Sequence, residues 1–254
     1  MAADADIAAR ALGLLDLTNL NDVCDDAAIE ALCTKALTPH GPVAAVCIWP
    51  RFVRLARRRL KGTGVKVATV ANFPAGADDP EAAASEVAAS FADGAHEVDV
   101  VAPYGALKGG RRDAVGRLVA ACRAAVPRGR RLKVILETGE LGDPELITEA
   151  ARQALAAGAH FIKTSTGKTR VSATPEAART MLEAIKASGR KAGFKASGGI
   201  RTAADAGSYL ALADEIMGAA WVSPATFRFG ASGLLDDLLG KLGYGSSAGV
   251  REGY

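Results

Sequence analysis

Lys163 stands at the boundary between two kinds of sequence. Phe161 and Ile162 lead into it, and Thr164-Ser165-Thr166-Gly167-Lys168 follow at once, which is how a buried strand delivers a side chain to a glycine-containing loop. Burial disfavours the ammonium form of a lysine, so the neutral amine becomes accessible, and a neutral amine attacks carbonyls. The competing reading is a lysine snorkelling into solvent from a strand end. Its company argues for chemistry. Glu97, Asp99, Lys133, Glu137 and Lys195 all lie in or at the ends of segments otherwise filled with Val, Ile, Leu and Phe. Buried charges need partners, and a second ammonium nearby lowers a lysine's pKa. Three cations around at least one carboxylate could therefore activate an amine, or could be a structural ion-pair network. The pattern leaves open whether Lys163 or Lys195 is the nucleophile.

The loops indicate what such an amine would meet. Thr164 to Lys168, Ser197-Gly198-Gly199 and Gly230-Ala231-Ser232-Gly233 are small, hydroxylated and glycine-rich. Glycine lets backbone N–H groups approach an anion, and a helix opening after Ser232 would add its positive end. A phosphorylated carbonyl compound meeting an activated lysine means Schiff-base chemistry, as in an aldolase, a transaldolase or a related lyase.

The elements that must position these residues alternate along the whole chain. Strands are predicted over Leu12–Leu17, Val43–Ile48, Val65–Val70, Glu97–Val101, Leu132–Glu137, Phe161–Lys163, Ala192–Lys195 and Thr226–Phe229. Helices are predicted over Asp25–Leu37, Arg51–Leu60, Asp79–Ala92, Ala114–Ala125, Pro144–Ala156, Pro175–Ala187, Ala203–Leu212 and Gly233–Leu239. Capping residues precede proline at Asp79-Pro80, Asp143-Pro144 and Thr174-Pro175, and Gly94 and Gly158 close the helices before them. Eight such units in 254 residues favour a single-domain (β/α)8 TIM barrel over residues 1–254, with a flexible tail from about 244. No G-x-G-x-x-G follows the first strand, which weakens a dinucleotide-binding sheet. Gly94-Ala95-His96-Glu97-Val98-Asp99 aligns without gaps on Gly158-Ala159-His160-Phe161-Ile162-Lys163. The echo puts Asp99 and Lys163 at one level on strands four and six, although recurrence of a common turn would explain the Gly-Ala-His alone.

Other classes fit poorly. A net charge of +3 is small, and Arg57-Arg58-Arg59 shares its helix with Phe52 and Leu55 without an aromatic stacking platform, so no nucleic acid is expected. Cys24, Cys33, Cys47 and Cys122 show no C-x-x-C spacing, and the three histidines form no H-x-x-x-H pair, so no metal is expected. With no apolar run of about 18 residues and no basic-then-apolar leader, neither membrane span nor export signal is expected, and the location is expected to be cytoplasmic.

The chain resembles the deoxyribose-phosphate aldolases. The likeness runs through Leu15-Asp16-Leu17-Thr18-Asn19-Leu20, Val46 to Phe52, Glu97 to Val101, Glu137-Thr138-Gly139-Glu140-Leu141, the Lys163 segment, Gly193-Phe194-Lys195-Ala196-Ser197-Gly198-Gly199-Ile200-Arg201 and Phe227 to Ser232. It implies a metal-free, cofactor-free class I aldolase that reversibly cleaves 2-deoxy-D-ribose 5-phosphate to D-glyceraldehyde 3-phosphate and acetaldehyde, in deoxynucleoside catabolism. Lys163 would then carry the Schiff base, Lys195 would keep it deprotonated, and Asp99 would relay protons through water. Thr18, Lys168, Thr166, Gly167, Cys47 and Lys133 would contact the sugar, with Gly198, Gly199, Ser232 and Gly233 at its phosphate. Tyr254, on the C-terminal tail, would fold over the site and assist proton transfer. Relatives often carry a second serine where this chain has Gly233, so one hydroxyl donor to phosphate would be missing. The resemblance also implies a homodimer. Two alternatives stand beside this reading: a Schiff-base aldolase with another donor or acceptor, and a catalytically silent barrel that binds sugar phosphates.

Overall fold

Continuous apolar strands must be covered on both faces, and this chain does so by closing its sheet. The computed structural model describes residues 2–244. The parallel strands β1 (Leu15–Asn19), β2 (Ala45–Ile48), β3 (Lys66–Ala71), β4 (Glu97–Val101), β5 (Arg131–Ile135), β6 (Phe161–Lys163), β7 (Gly193–Ser197) and β8 (Phe227–Ala231) pair in order, and β8 returns to β1. This is the expected (β/α)8 barrel, a single domain. The helices around it are α1 (Ala2–Leu12), α2 (Asp26–Lys35), α3 (Val53–Arg59), α4 (Pro80–Ala92), α5 (Tyr104–Lys108), α6 (Ala114–Ala124), α7 (Thr138–Leu141), α8 (Pro144–Ala156), α9 (Pro175–Ser188), α10 (Ala203–Met217) and α11 (Leu234–Lys241). Among the described residues, no helix is long and apolar enough to cross a membrane.

The sequence signals for helix starts act as their chemistry requires. Asp79 accepts from the Ala82 amide, Asp143 from Glu145 and Thr174 from Ala177, each before a proline in the first helical turn. Each such cap is worth about 1 kcal/mol. The strand start furthest from expectation is that of β1. Leu12 closes α1, Gly13 and Leu14 turn, and β1 begins only at Leu15. The run from Ala11 to Leu15, with no polar residue, hides this break, and Gly13 is its only mark in the sequence.

Two cores result. A large apolar shell, with Ile29, Val53, Val87, Leu118, Ile147, Met181 and Leu235 among its members, sits between strands and helices. The barrel interior is divided. Toward β2 and β3 it is apolar, with Leu20, Ala45, Cys47, Ala68 and Val70 under Trp49 and Phe73. Toward β4 to β8 and β1 it is filled with charge.

Candidate active site

The strand register stacks the interior into levels. From Asp99 the hydrogen-bonded path runs through Lys133 to Phe161, two residues below Lys163, which is the offset that strand tilt produces over two strands. Asp99 and Lys163 therefore share a level, as the Gly-Ala-His echo implied. The same stepping places Cys47, Asp99, Lys163 and Gly230 in the upper level. Asp16, Ala68, Lys133 and Lys195 form the middle one, and Ala45, Glu97, Phe161 and Arg228 the lower.

Across these levels the charges interlock. Asp99 Oδ2 lies 3.1 Å from Lys163 Nζ and 2.8 Å from Lys195 Nζ, while Asp99 Oδ1 accepts from Lys133 Nζ at 2.8 Å. Lys195 Nζ also donates to Asp16 Oδ2 at 2.6 Å, and Lys133 Nζ lies 2.5 Å from Glu97 Oε2. Arg228 closes the lower end, with Nη1 2.5 Å from Asp16 Oδ1 and Nη2 2.9 Å from Glu97 Oε1. Four cations thus face three carboxylates, all essentially buried.

One cation is held less firmly than the rest. Burial alone would raise the pKa of Asp99, but the ammonium groups of Lys133, Lys195 and Lys163 hold it well below the carboxylate range. For Lys195, burial pulls toward the neutral amine, but Asp16 and Asp99 together push its pKa up. Lys133 is likewise raised, against its burial, by Asp99 and Glu97. Lys163 moves the other way. Burial and then the charge of Lys195 lower its pKa, and a single hydrogen bond to the shared Asp99 oxygen does not compensate. If Lys163 gives up its proton, three cations balance three carboxylates.

Gly230 makes this stacking possible. A Cβ at that position would come within 2.8 Å of Lys195 Cε and 2.0 Å of Ser197 Oγ, so any side chain there would displace the lysine from Asp99.

Above the charged levels, the C-terminal ends of β1, β6, β7 and β8 open into a polar cleft of about 450 Å3. Thr18, Thr166, Gly167, Lys168, Gly198, Gly199, Ser232 and Gly233 all line it, with Arg201, which the sequence reading had not assigned to the cleft. Gly198 and Gly199 adopt positive φ of +83° and +81°, a conformation only glycine adopts freely. Gly233 caps the eight-residue helix α11, whose free N–H groups face this end. The Lys168 ammonium sits 5.9 Å from the Trp49 ring centre and 3.5 Å from Asp22.

Not every expected residue reaches the cleft. Lys133, expected to contact the sugar, is wholly buried in the middle level with its ammonium held by Glu97 and Asp99. Cys47 is also buried, one level-mate of Lys163 on the apolar side, and burial raises its thiol pKa. Thr166 reaches the cleft, but its hydroxyl donates to Glu137 at 2.5 Å. Tyr254 and the tail beyond residue 244 lie outside the described residues. The sequence reading assigned no role to Asp16 and Arg228, although each carried a legible signal: a lone charge between apolar strand residues, in Leu15-Asp16-Leu17 and Phe227-Arg228-Phe229.

Comparison with known proteins agrees with this geometry. Residues 10–239 match the model of the DeoC/LacD family aldolases. A Toxoplasma gondii structure provisionally named deoxyribose-phosphate aldolase superposes with a TM-score of 0.87 at 25% identity, covering 98% of each chain. A Coccidioides immitis structure under the same provisional name gives 0.79 at 29% identity, covering 91% of this chain and 85% of that one. The tetrameric deoxyribose phosphate aldolase of Aeropyrum pernix gives 0.72 at 25% identity, covering 94% and 92%.

Proposed function

The chain belongs to the DeoC/LacD aldolase family, class I carbon-carbon lyases, and from that premise we propose that it reversibly cleaves 2-deoxy-D-ribose 5-phosphate to D-glyceraldehyde 3-phosphate and acetaldehyde. The observation that carries this reading is Lys163: an amine of lowered pKa, sharing one Asp99 oxygen with Lys195, beneath a glycine-lined polar cleft.

The steps follow from the ionisation states. Neutral Lys163 attacks the carbonyl carbon of the open-chain sugar, forming a C–N bond and moving the carbonyl electrons onto oxygen. That oxygen takes one proton released by the nitrogen and a second from the acid, and leaves as water, giving the iminium. Loss of the C3 hydroxyl proton then breaks the C2–C3 bond. Its electrons flow into the iminium, so the glyceraldehyde phosphate departs and an enamine stays on Lys163. Protonation at C2 and hydrolysis release acetaldehyde and the free amine. Asp99 and Lys195, 2.8 Å apart, form the couple that moves these protons, by way of water where they do not reach the substrate directly. The phosphate occupies the end of the cleft formed by Gly198, Gly199, Ser232 and Gly233, where backbone N–H groups and the start of α11 favour an anion.

Borohydride reduction in the presence of acetaldehyde, followed by peptide mapping, tests the reading. A single reduced ethyl adduct on Lys163 supports it. An adduct on Lys195 reverses the two lysine roles, and absence of an adduct in folded protein favours a silent binding barrel. Comparing acetaldehyde with acetone and dihydroxyacetone as donors separates this activity from an aldolase of other specificity. A homodimer of cytoplasmic location is part of the same proposal, and light scattering tests the assembly.

A further inference from the structure

Glu137 is a buried carboxylate that takes no part in the charged levels. It is the second residue past β5 and adopts a left-handed backbone, φ +55° and ψ +59°, which few residues other than glycine adopt. It is fully buried, and the Lys163 ammonium acts on it without forming an ion pair among the described residues. Its oxygens instead face one turn of the loop after β6. The Thr166 amide lies 3.3 and 3.2 Å from the two oxygens, the Thr166 hydroxyl donates at 2.5 Å, and the Thr169 hydroxyl lies 3.3 Å away. Burial raises the Glu137 pKa while the Thr166 and Thr169 bonds oppose that shift, and the several contacts that converge on its two oxygens make it the anchor of this turn.

What it anchors is the part of the cleft that carries Lys168. The Thr166 hydroxyl, with its proton directed at Glu137, accepts from the Lys168 amide at 3.0 Å. Gly167, at φ +80°, brings its Cα within 3.5 Å of where a Cβ on Gly198 would stand, so the turn abuts the second glycine loop. The far side is fixed too. A Cβ on Gly139 would come within 2.1 Å of the Val171 carbonyl oxygen, so α7 and the end of the loop are in direct backbone contact. The segment from Glu137 to Gly139 thus grips the loop at Thr166, Thr169 and Val171, while Lys163 itself belongs to the strand.

We propose that Glu137 is a positioning residue that holds the Thr166–Gly167–Lys168 turn against the Gly198–Gly199 loop at the phosphate end of the cleft, and thereby sets the preference for phosphorylated over unphosphorylated substrates. The inference rests on the proposed substrate class and adds a residue outside the charged network. It separates two duties: the strand presents the amine, and Glu137 presents the surface that recognises the rest of the substrate.

The test compares Glu137→Gln with the wild-type enzyme. The amide puts a donor where the carboxylate accepted, opposite two donors of Thr166. For 2-deoxyribose 5-phosphate, kcat/KM is expected to fall roughly 30-fold, mostly through KM, while for unphosphorylated 2-deoxyribose it changes less than about 3-fold. Hydrogen exchange at the Thr166–Lys168 amides, without substrate, is expected to quicken by about tenfold or more. An equal fall for both sugars, or unchanged exchange, overturns the proposal. If the wild-type enzyme cleaves neither sugar, the proposed substrate fails, and the exchange measurement still decides whether Glu137 holds the turn. Should Glu137→Gln not fold, Thr169→Val removes the hydroxyl that lies 3.3 Å from Glu137 and 3.1 Å from the Val171 carbonyl oxygen. It is expected to narrow the phosphorylated-to-unphosphorylated ratio about 3-fold, and an unchanged ratio overturns the proposal.

Discussion

The turns entering β4 and β6 are nearly the same structure. In each, a glycine at positive φ, Gly94 at +101° or Gly158 at +95°, ends a helix. An arginine stem from a neighbouring helix earlier in the chain packs over that glycine, Arg57 of α3 in one case and Arg123 of α6 in the other. The next histidine grips one residue of the preceding strand twice. His96 donates its amide to the Val67 carbonyl and accepts the Val67 amide at Nδ1, and His160 does the same with Leu132. Three residues later one strand delivers Asp99 and the other Lys163 to the same level. The shared clamp fixes register, and a single side chain then decides whether a unit contributes an acid or an amine. The neighbours complete the difference: three ammonium groups stabilise Asp99 as an anion, whereas Lys163 has one shared carboxylate oxygen and an opposing ammonium.

The comparison breaks most completely at the side chains that differ. Lys163→Leu is expected to lower turnover by about 10^4-fold or more and to abolish the reduced adduct, with the circular dichroism spectrum unchanged. Asp99→Asn should reduce turnover by about 10^2- to 10^3-fold while leaving a trappable lysine, a difference visible in single-turnover kinetics. Lys195→Leu removes a like charge from Lys163 and frees Asp99 to attract its proton. The Lys163 pKa therefore rises, and the acidic limb of kcat/KM moves to higher pH. An unmoved limb would remove Lys195 as the perturbing group.

The shared half of the comparison has smaller effects. His96→Ala and His160→Ala each leave a strand amide without its side-chain acceptor, and each should cost about 1–3 kcal/mol in denaturant unfolding. Clearly unequal losses would mean that the two turns are alike in shape only. Burial, with nearby arginines, lowers both imidazole pKa values to about 4. Because the unfolded chain binds these protons first, stability contributed by the neutral rings is present above about pH 6.5 and declines as pH falls toward about 4. Urea midpoints measured across that interval in the wild type and the two alanine variants check the sign.

Much of this is readable in the amino-acid sequence, for physical reasons that differ by element. Strands buried on both faces appear as short apolar runs, and helices announce themselves through Asp79-Pro80, Asp143-Pro144 and Thr174-Pro175, so the alternation and the barrel were legible. The pairing of Asp99 with Lys163 was legible because the turn repeats. The pairing of Asp16 with Arg228 is not, although each stands out as a lone strand charge, since the two strands are far apart in sequence and only the register brings them together. The burial of Lys133 is not legible, because a strand charge looks alike whether it points at the cleft or one level below it. Glu137 was counted as the last residue of a strand, and nothing local indicates that the chain turns left-handed there and sends its side chain to the next loop.

The surplus of one cation in the barrel has a consequence for the time course of the reaction. On the proposed mechanism the resting interior is neutral, the iminium states carry one added positive charge, and the enamine state returns to neutrality. The wall therefore alternates between two formal charges during each turnover, and the Asp99–Lys195 couple regains its ion pair after each proton it passes on. Substitution of any of the three carboxylates by its amide should make the charged stages harder to reach than the uncharged ones, so that the enamine accumulates where the wild-type enzyme would pass through it.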